Sequence, residues 1–127
     1  MEIFSEKSQR ATFYCRDYAS AFKATRHLRD VSYYLDPPYV VEASQRNGFT
    51  GYAGNRFSHK DQERLMGFAK RRGERTKGGV VISNHDTKLT RELYQDATEL
   101  MSFPVRRTIS CNAQKRGYAQ ELLARFG

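Results

Sequence analysis

The chain has 127 residues, a net charge of +8 and a pI of about 9.7. That length allows one domain at most, with a core of its own. The charge suits a polyanionic partner or a plainly solvated basic surface, and charge alone leaves the two level. No apolar stretch approaches a membrane span, and Met1 to Glu6 lacks the basic and apolar regions of a signal peptide.

In chain order, Thr12 to Cys15 reads as a short buried strand. Tyr18 to about Arg29 follows as a helix, with Asp17 placed as its N-cap. Val31 to Leu35 is a second strand, ended by Pro37 and Pro38, which cannot continue a central ladder. Residues 40 to 57 are polar, contain Gly48, Gly51 and Gly54, and read as a long loop. Ser58 and Asp61 form a capping-box pair for a helix with an apolar stripe of Leu65, Met66, Phe68 and Ala69, ended by Gly73. Lys77, Gly78 and Gly79 turn the chain into the apolar strand Val80 to Ser83.

Leu89, Leu93, Ala97 and Leu100 recur at i, i+4, i+8 and i+11, which predicts an amphipathic helix. Val105, Arg107 and Ile109 alternate with polar neighbours and predict a strand. Tyr118 to Phe126 reads as a strand or short helix, with Glu121 to Ala124 leaning helical. Cys15 and Cys111 stand apart inside strand-like runs, so buried free thiols in a reducing cytoplasm are expected, without metal or disulfide. Alternation of strands and helices argues for an α/β fold with a largely parallel sheet.

Asp36-Pro37-Pro38-Tyr39 carries the chemistry. A strand delivers the Asp36 carboxylate to its C-terminal edge, where ligands bind in open α/β sheets. The prolines remove two backbone donors, so the turn offers carbonyl acceptors. An acid, a carbonyl and an aromatic face suit the exocyclic amino group of a flat heterocycle. A turn Asp before a proline pair is the plainer reading of the tetrapeptide taken alone. His85 and Asp86 invite a nucleophilic triad or a metal site, but no serine elbow and no third ligand is spaced for them.

The tetrapeptide resembles the catalytic motif of S-adenosylmethionine-dependent DNA amino-methyltransferases. Phe13 to Tyr18 upstream, with Val80 to Thr87 and Arg106 to Asn112 downstream, narrows this to a resemblance to the C-terminal half of the DNA adenine methylase family. The resemblance implies a Rossmann-like class I methyltransferase fold with an antiparallel last strand, here partial and lacking the first two strands. It implies methyl transfer from S-adenosylmethionine to the N6 of a flipped-out adenine in double-stranded DNA, commonly in GATC.

Residue by residue, the resemblance implies a catalytic role for Asp36, Pro37, Pro38 and Tyr39. It places cofactor contacts at Asp17, Tyr18 and Asp36, and a base-pocket wall at Asn84 and His85. A strand-to-helix turn capped by Asp86 or Thr87 explains Asn84 and His85 equally well. Arg46, Asn47, Arg106, Arg107, Asn112, Lys115 and Arg116 are candidate DNA contacts, and a solvated charged surface accounts for any single one of them as well.

The family's Gly-rich cofactor loop, its ribose-binding acid and most of its target-recognition region have no counterpart here. Gly48, Gly51 and Gly54 do not join a strand to a helix and do not replace that loop. The family's first two strands lie between its third and fourth. Their absence would leave Thr12–Cys15 unpaired and one edge of Val31–Leu35 open, a pairing site. The expectation is a truncated enzyme, or one half of a split enzyme complemented by an N-terminal half. The alternatives are an inactive remnant that binds DNA through its basic face, or an unrelated basic RNA-binding module.

Overall fold

The computed structural model describes residues 6–40, 57–106 and 117–127. Helix α1 (Tyr18–Ala24) starts at Asp17, whose carboxylate accepts from the Ser20 backbone N–H at 3.1 Å. It stops five residues short of the expected Arg29. The cause is Arg72, whose guanidinium takes the carbonyls of Thr25, Arg26 and Leu28 at 2.5, 2.8 and 2.5 Å. Those carbonyls are thereby committed to a side chain rather than to another helical turn.

Strand β1 (Tyr33–Leu35) is short and leads into the proline pair. Helix α2 (His59–Gly73) opens with the expected capping box, in which Ser58 Oγ accepts from Asp61 N–H and Asp61 Oδ2 accepts from Ser58 N–H. Its buried stripe is Gln62, Leu65, Ala69 and Arg72, so the spacing of three and four carries two polar residues into the interior. Gly79, at φ 69°, turns the chain into strand β2 (Val80–His85). Helix α3 (Lys88–Leu93) is capped by Thr87, which exchanges bonds with Thr90.

Strands β3 (Glu99–Arg106) and β4 (Tyr118–Phe126) complete one sheet in the order β1-β2-β4-β3. β1 and β2 are parallel, whereas β4 lies between β2 and β3 and runs against both. Three strands thus share a direction, but only one adjacent pair is parallel, and the expectation of a largely parallel sheet is corrected to that extent. Pro104 sits in β3, an edge strand, where a missing N–H is tolerated.

Four further expectations are corrected. Thr12–Cys15 is not a strand, and Cys15 is exposed rather than buried. No described strand lies beside it, and an extended segment without a ladder leaves its backbone to water. The expected long helix through Leu100 ends at Leu93, and Leu100 stands in β3. Its side chain repeats a helical spacing by coincidence with the alternation of the strand. The strand expected from Val105 begins at Glu99. Of the two readings of Tyr118–Phe126 the strand holds and the helical leaning of Glu121–Ala124 does not, because alternate residues Leu122, Ala124 and Phe126 fill the core.

Val80, Ile82, Leu122, Ala124 and Phe126 of the sheet form the core with Ala69 of α2 and Tyr94. Phe22 of α1 packs on Tyr33 with ring centroids 5.3 Å apart. The long loop after Val40 and the turn around Asn112, with Cys111, lie outside the described residues. No described helix is long and apolar enough to cross a membrane.

Candidate active site

The sheet register assembles the site. Leu35 pairs with Ile82, so Asp36 leaves the C-terminal tip of β1 beside Ser83 of the parallel strand β2. Asp36 is exposed there, while Ser83 is buried and donates its hydroxyl to Asp36 Oδ1 at 2.9 Å and to the Leu35 carbonyl at 3.3 Å. Pro37 is buried and Pro38 exposed. The proline pair therefore holds the backbone down on one side and lifts it on the other.

Tyr39 returns over the tip of β2. Its ring meets the His85 ring edge-on at 4.8 Å and 85°, and its hydroxyl donates to Glu121 Oε2 at 3.4 Å. Glu121 is there because it pairs with His85 across the antiparallel β2–β4 ladder. Burial first of all pushes the Tyr39 phenol above its usual range; the Ser83 hydroxyl opposes this, and the charges of Glu121 and Asp36 add to it. The phenol stays protonated and a donor at neutral pH.

Asn84 lies beneath this surface rather than on a wall of it. It is fully buried, and its Oδ1 accepts from the Val40 N–H at 2.9 Å. Its Nδ2 donates to Tyr94 Oη at 3.0 Å and to Gln62 Oε1 at 3.4 Å. Gln62 in turn donates to the Pro38 carbonyl at 2.7 Å.

Asp36, Tyr39 and His85 thus come together, with Asn84 below them. Asp17 and Tyr18 stand apart at the start of α1. The Asp17 carboxylate caps the helix, and the Ser20 hydroxyl followed by the Ser20 N–H holds its pKa below the usual value. Tyr18 is half-buried, edge-on to Phe57 at 6.1 Å and Phe68 at 5.9 Å. Of the candidate DNA contacts only Arg106 is described, exposed at the end of β3 opposite Tyr118. Arg46, Asn47, Arg107, Asn112, Lys115 and Arg116 lie outside the described residues. Among the described residues no cluster of three metal-ligating side chains occurs.

Sequence reasoning missed Ser83, Glu121, Gln62 and Tyr94. Two signals were available. Asn84 shares its strand face with Val80 and Ile82, which places it inside. Gln62 stands three residues before Leu65 on the buried stripe of α2.

Comparison with known proteins identifies the frame of this site. Residues 1–109 match the family model of the D12 class N6 adenine-specific DNA methyltransferases. The DNA adenine methylase of Vibrio cholerae is 44% identical over 126 residues, which are 99% of this chain and 44% of that protein. Those of Haemophilus influenzae and Escherichia coli K12 are 40% and 43% identical, over 100% and 97% of this chain and 43% and 42% of their own length. The chain spans less than half the length of these relatives. An acid-and-proline turn at paired strand tips, inside a match of that extent, leads to one assignment: the chain belongs to the D12 class of N6 adenine-specific DNA methyltransferases.

Proposed function

We propose that the Asp36–Tyr39 corner binds the N6 amino group of an adenine flipped out of double-stranded DNA and directs its methylation by S-adenosylmethionine. The observation that carries this reading is the placement of Asp36: exposed at the strand tip, yet oriented by a buried Ser83 hydroxyl at 2.9 Å. An amino nitrogen conjugated with a purine ring is a poor nucleophile. Donation of its hydrogens to Asp36 and to the Pro37 carbonyl favours a more tetrahedral nitrogen with an available lone pair. The anionic carboxylate also opposes the positive charge that develops on nitrogen. When bound, S-adenosylmethionine supplies an electrophilic methyl group on a sulfonium.

Asp36 has the charge for that sulfonium, and Tyr18 has a half-buried aromatic ring for an adenosyl group. Asp17 fits such a role less well, since its carboxylate already holds the Ser20 N–H and hydroxyl. Extrusion of a base costs a few kcal/mol, and stacking on an aromatic ring returns about 1–3 kcal/mol. Tyr39 is the ring at hand. The basic residues from Arg106 to Arg116, and Arg46 with Asn47, supply phosphate contacts in this reading. A GATC target and action on DNA in the bacterial or phage-type cytoplasm, at the nucleoid, belong to this reading and have only the kinship as support.

The chain serves as the C-terminal part of a Rossmann-like class I catalytic domain, completed by an N-terminal half. Two observations support this: the chain matches only 44% of the Vibrio cholerae relative, and no described strand pairs with the outer edge of β1. The test supplies the chain with the part of the Vibrio cholerae relative that it does not match, and measures transfer of labelled methyl to adenine in duplex DNA. The expected result is transfer in the mixture and none by the chain alone. Asp36→Ala lowers the rate by about 10²–10³. DNA binding without transfer in the mixture would make the chain an inactive remnant. Full transfer by Asp36→Ala would remove the proposed chemistry.

A further inference from the structure

The turn from Asp36 to Tyr39 has a mechanical difficulty. Its two prolines carry no N–H, which leaves it few backbone bonds with which to pin itself. Side chains from α2 and β2 do this instead. Gln62 Nε2 donates to the Pro38 carbonyl at 2.7 Å, and Asn84 Oδ1 accepts from the Val40 N–H at 2.9 Å. The two amides are joined to each other at 3.4 Å, and Tyr94 Oη takes the remaining Asn84 hydrogen at 3.0 Å.

The polarity of this chain of bonds has one solution. A backbone carbonyl only accepts, so Gln62 must face Pro38 with its NH₂ and Asn84 with its oxygen. Asn84 must then answer with its own NH₂, which turns its oxygen to the Val40 N–H, a group that only donates. The His85 N–H fills the second lone pair of that oxygen at 2.9 Å. All four bonding positions of the Asn84 amide are used, in a residue with no exposed surface. No buried side-chain nitrogen or oxygen among the described residues is left unsatisfied. A fully satisfied buried network is stiff, because every alternative arrangement strands a polar group.

We infer that Gln62 and Asn84, backed by Tyr94, are positioning residues for methyl transfer: they set the angle at which Asp36 and the Pro37 carbonyl meet the amino group. None of the three need touch substrate. This rests on the function proposed above, and it goes beyond that reading by naming what holds the turn in its catalytic shape.

The test uses the full chain, completed as before by the unmatched part of the Vibrio cholerae relative. Gln62→Leu conserves volume and removes both bonds; Tyr94→Phe removes only the hydroxyl and keeps the core. For Gln62→Leu the expected result is a kcat lower by about 10–100-fold, with KM for DNA within twofold. Tyr94→Phe has a smaller effect in the same direction. Hydrogen exchange gives an independent readout in the isolated chain. In both variants the Val40 amide exchanges faster, whereas the Ile82 amide in the core ladder does not change. A normal kcat in Gln62→Leu, or equal acceleration at Val40 and Ile82, overturns the inference. Asp36→Ala separates the two levels. If it retains wild-type transfer, the functional reading falls, whereas if only the amide variants retain transfer, the positioning role falls alone.

Discussion

On one face of the sheet Val80, Ile82, Leu122, Ala124 and Phe126 are at most 2% exposed, whereas on the other Tyr34 is 65% and Met101 53% exposed. The first face is roofed by α1 and α2 and by Tyr94 after α3. The second carries Phe103, Val105 and Leu123 as well, all half-buried, and no described helix lies over it. The residues alternate along the same strands, so the difference is not one of composition but of what covers them. Among the described residues the core is closed on one side, and the other side carries an apolar surface and a β1 edge that no described strand pairs. The Asp36–Tyr39 turn is tied to the closed side through Gln62 and Asn84. Its shape is therefore set from the closed side of the sheet.

Truncating matched residues on the two faces tests this contrast most directly. Ile82→Ala on the closed face is expected to cost about 2–5 kcal/mol in urea unfolding. Tyr34→Ala on the open face is expected to stay within about 0.5 kcal/mol in the chain alone. A large loss for Tyr34→Ala would mean that its face is already covered in solution, for instance by another copy of the chain. Addition of the complementing segment is expected to sharpen the contrast. Exposed Tyr34 then becomes protected, and its truncation becomes costly.

The closed face was the legible one. Capping at Asp17 and Ser58, the apolar stripe of α2 and the run Val80–Ser83 are local patterns, and local hydrogen bonds and periodicity decide them. Elements decided by distant partners were not legible. Helix α1 stops where Arg72, 47 residues away from Thr25, takes its carbonyl. Leu122 and Ala124 read as helical because Glu121-Leu122-Leu123-Ala124 has good helix formers, yet the β2 and β3 ladders hold them extended. The site divides in the same way. Asp36 to Tyr39 was visible as a motif, whereas Ser83 and Glu121 join it only through register. In sequence Asn84 reads as a pocket wall or turn residue and Gln62 is passed over, because the interior network that joins them depends on how α2 packs on β2.

A closer probe of the closed face lies where helix meets strand. A Cβ built on Gly73 would stand 2.3 Å from the Phe126 carbonyl oxygen, and the neighbour is backbone. Gly73→Ala therefore forces the end of α2 away from β4. The expected cost is about 1–3 kcal/mol, read as a lower urea midpoint with an unchanged slope. A neutral result would mean that α2 is not seated on β4 in solution, and the asymmetry between the faces would weaken.

The smallest effect is expected at the margin of the closed face, where Ser102 of β3 meets Asp86. Ser102 and Arg91 both bond to Asp86, Arg91 through two nitrogens at 2.6 and 2.7 Å. The Asp86 side chain is only 10% exposed, against 51% for Arg91. The Arg91 hydrogen bonds chiefly, then that of Ser102 and the Arg91 charge, hold the Asp86 pKa below its usual value against the opposing effect of burial. A carboxyl with a lowered folded pKa stabilises above its unfolded pKa, near 3.9, and loses that contribution as pH falls through the folded value. Asp86→Asn keeps an acceptor but removes the charge. The gap in urea midpoint between wild type and Asp86→Asn is expected to be constant above about pH 5 and to close as pH falls below about 4. Asp17 and Asp61 titrate in the same direction, but they are present in both proteins and cancel from the difference. A gap unchanged at pH 3 would mean that Asp86 stabilises through shape rather than charge, and that the polar rim of this face owes nothing to its ion pair.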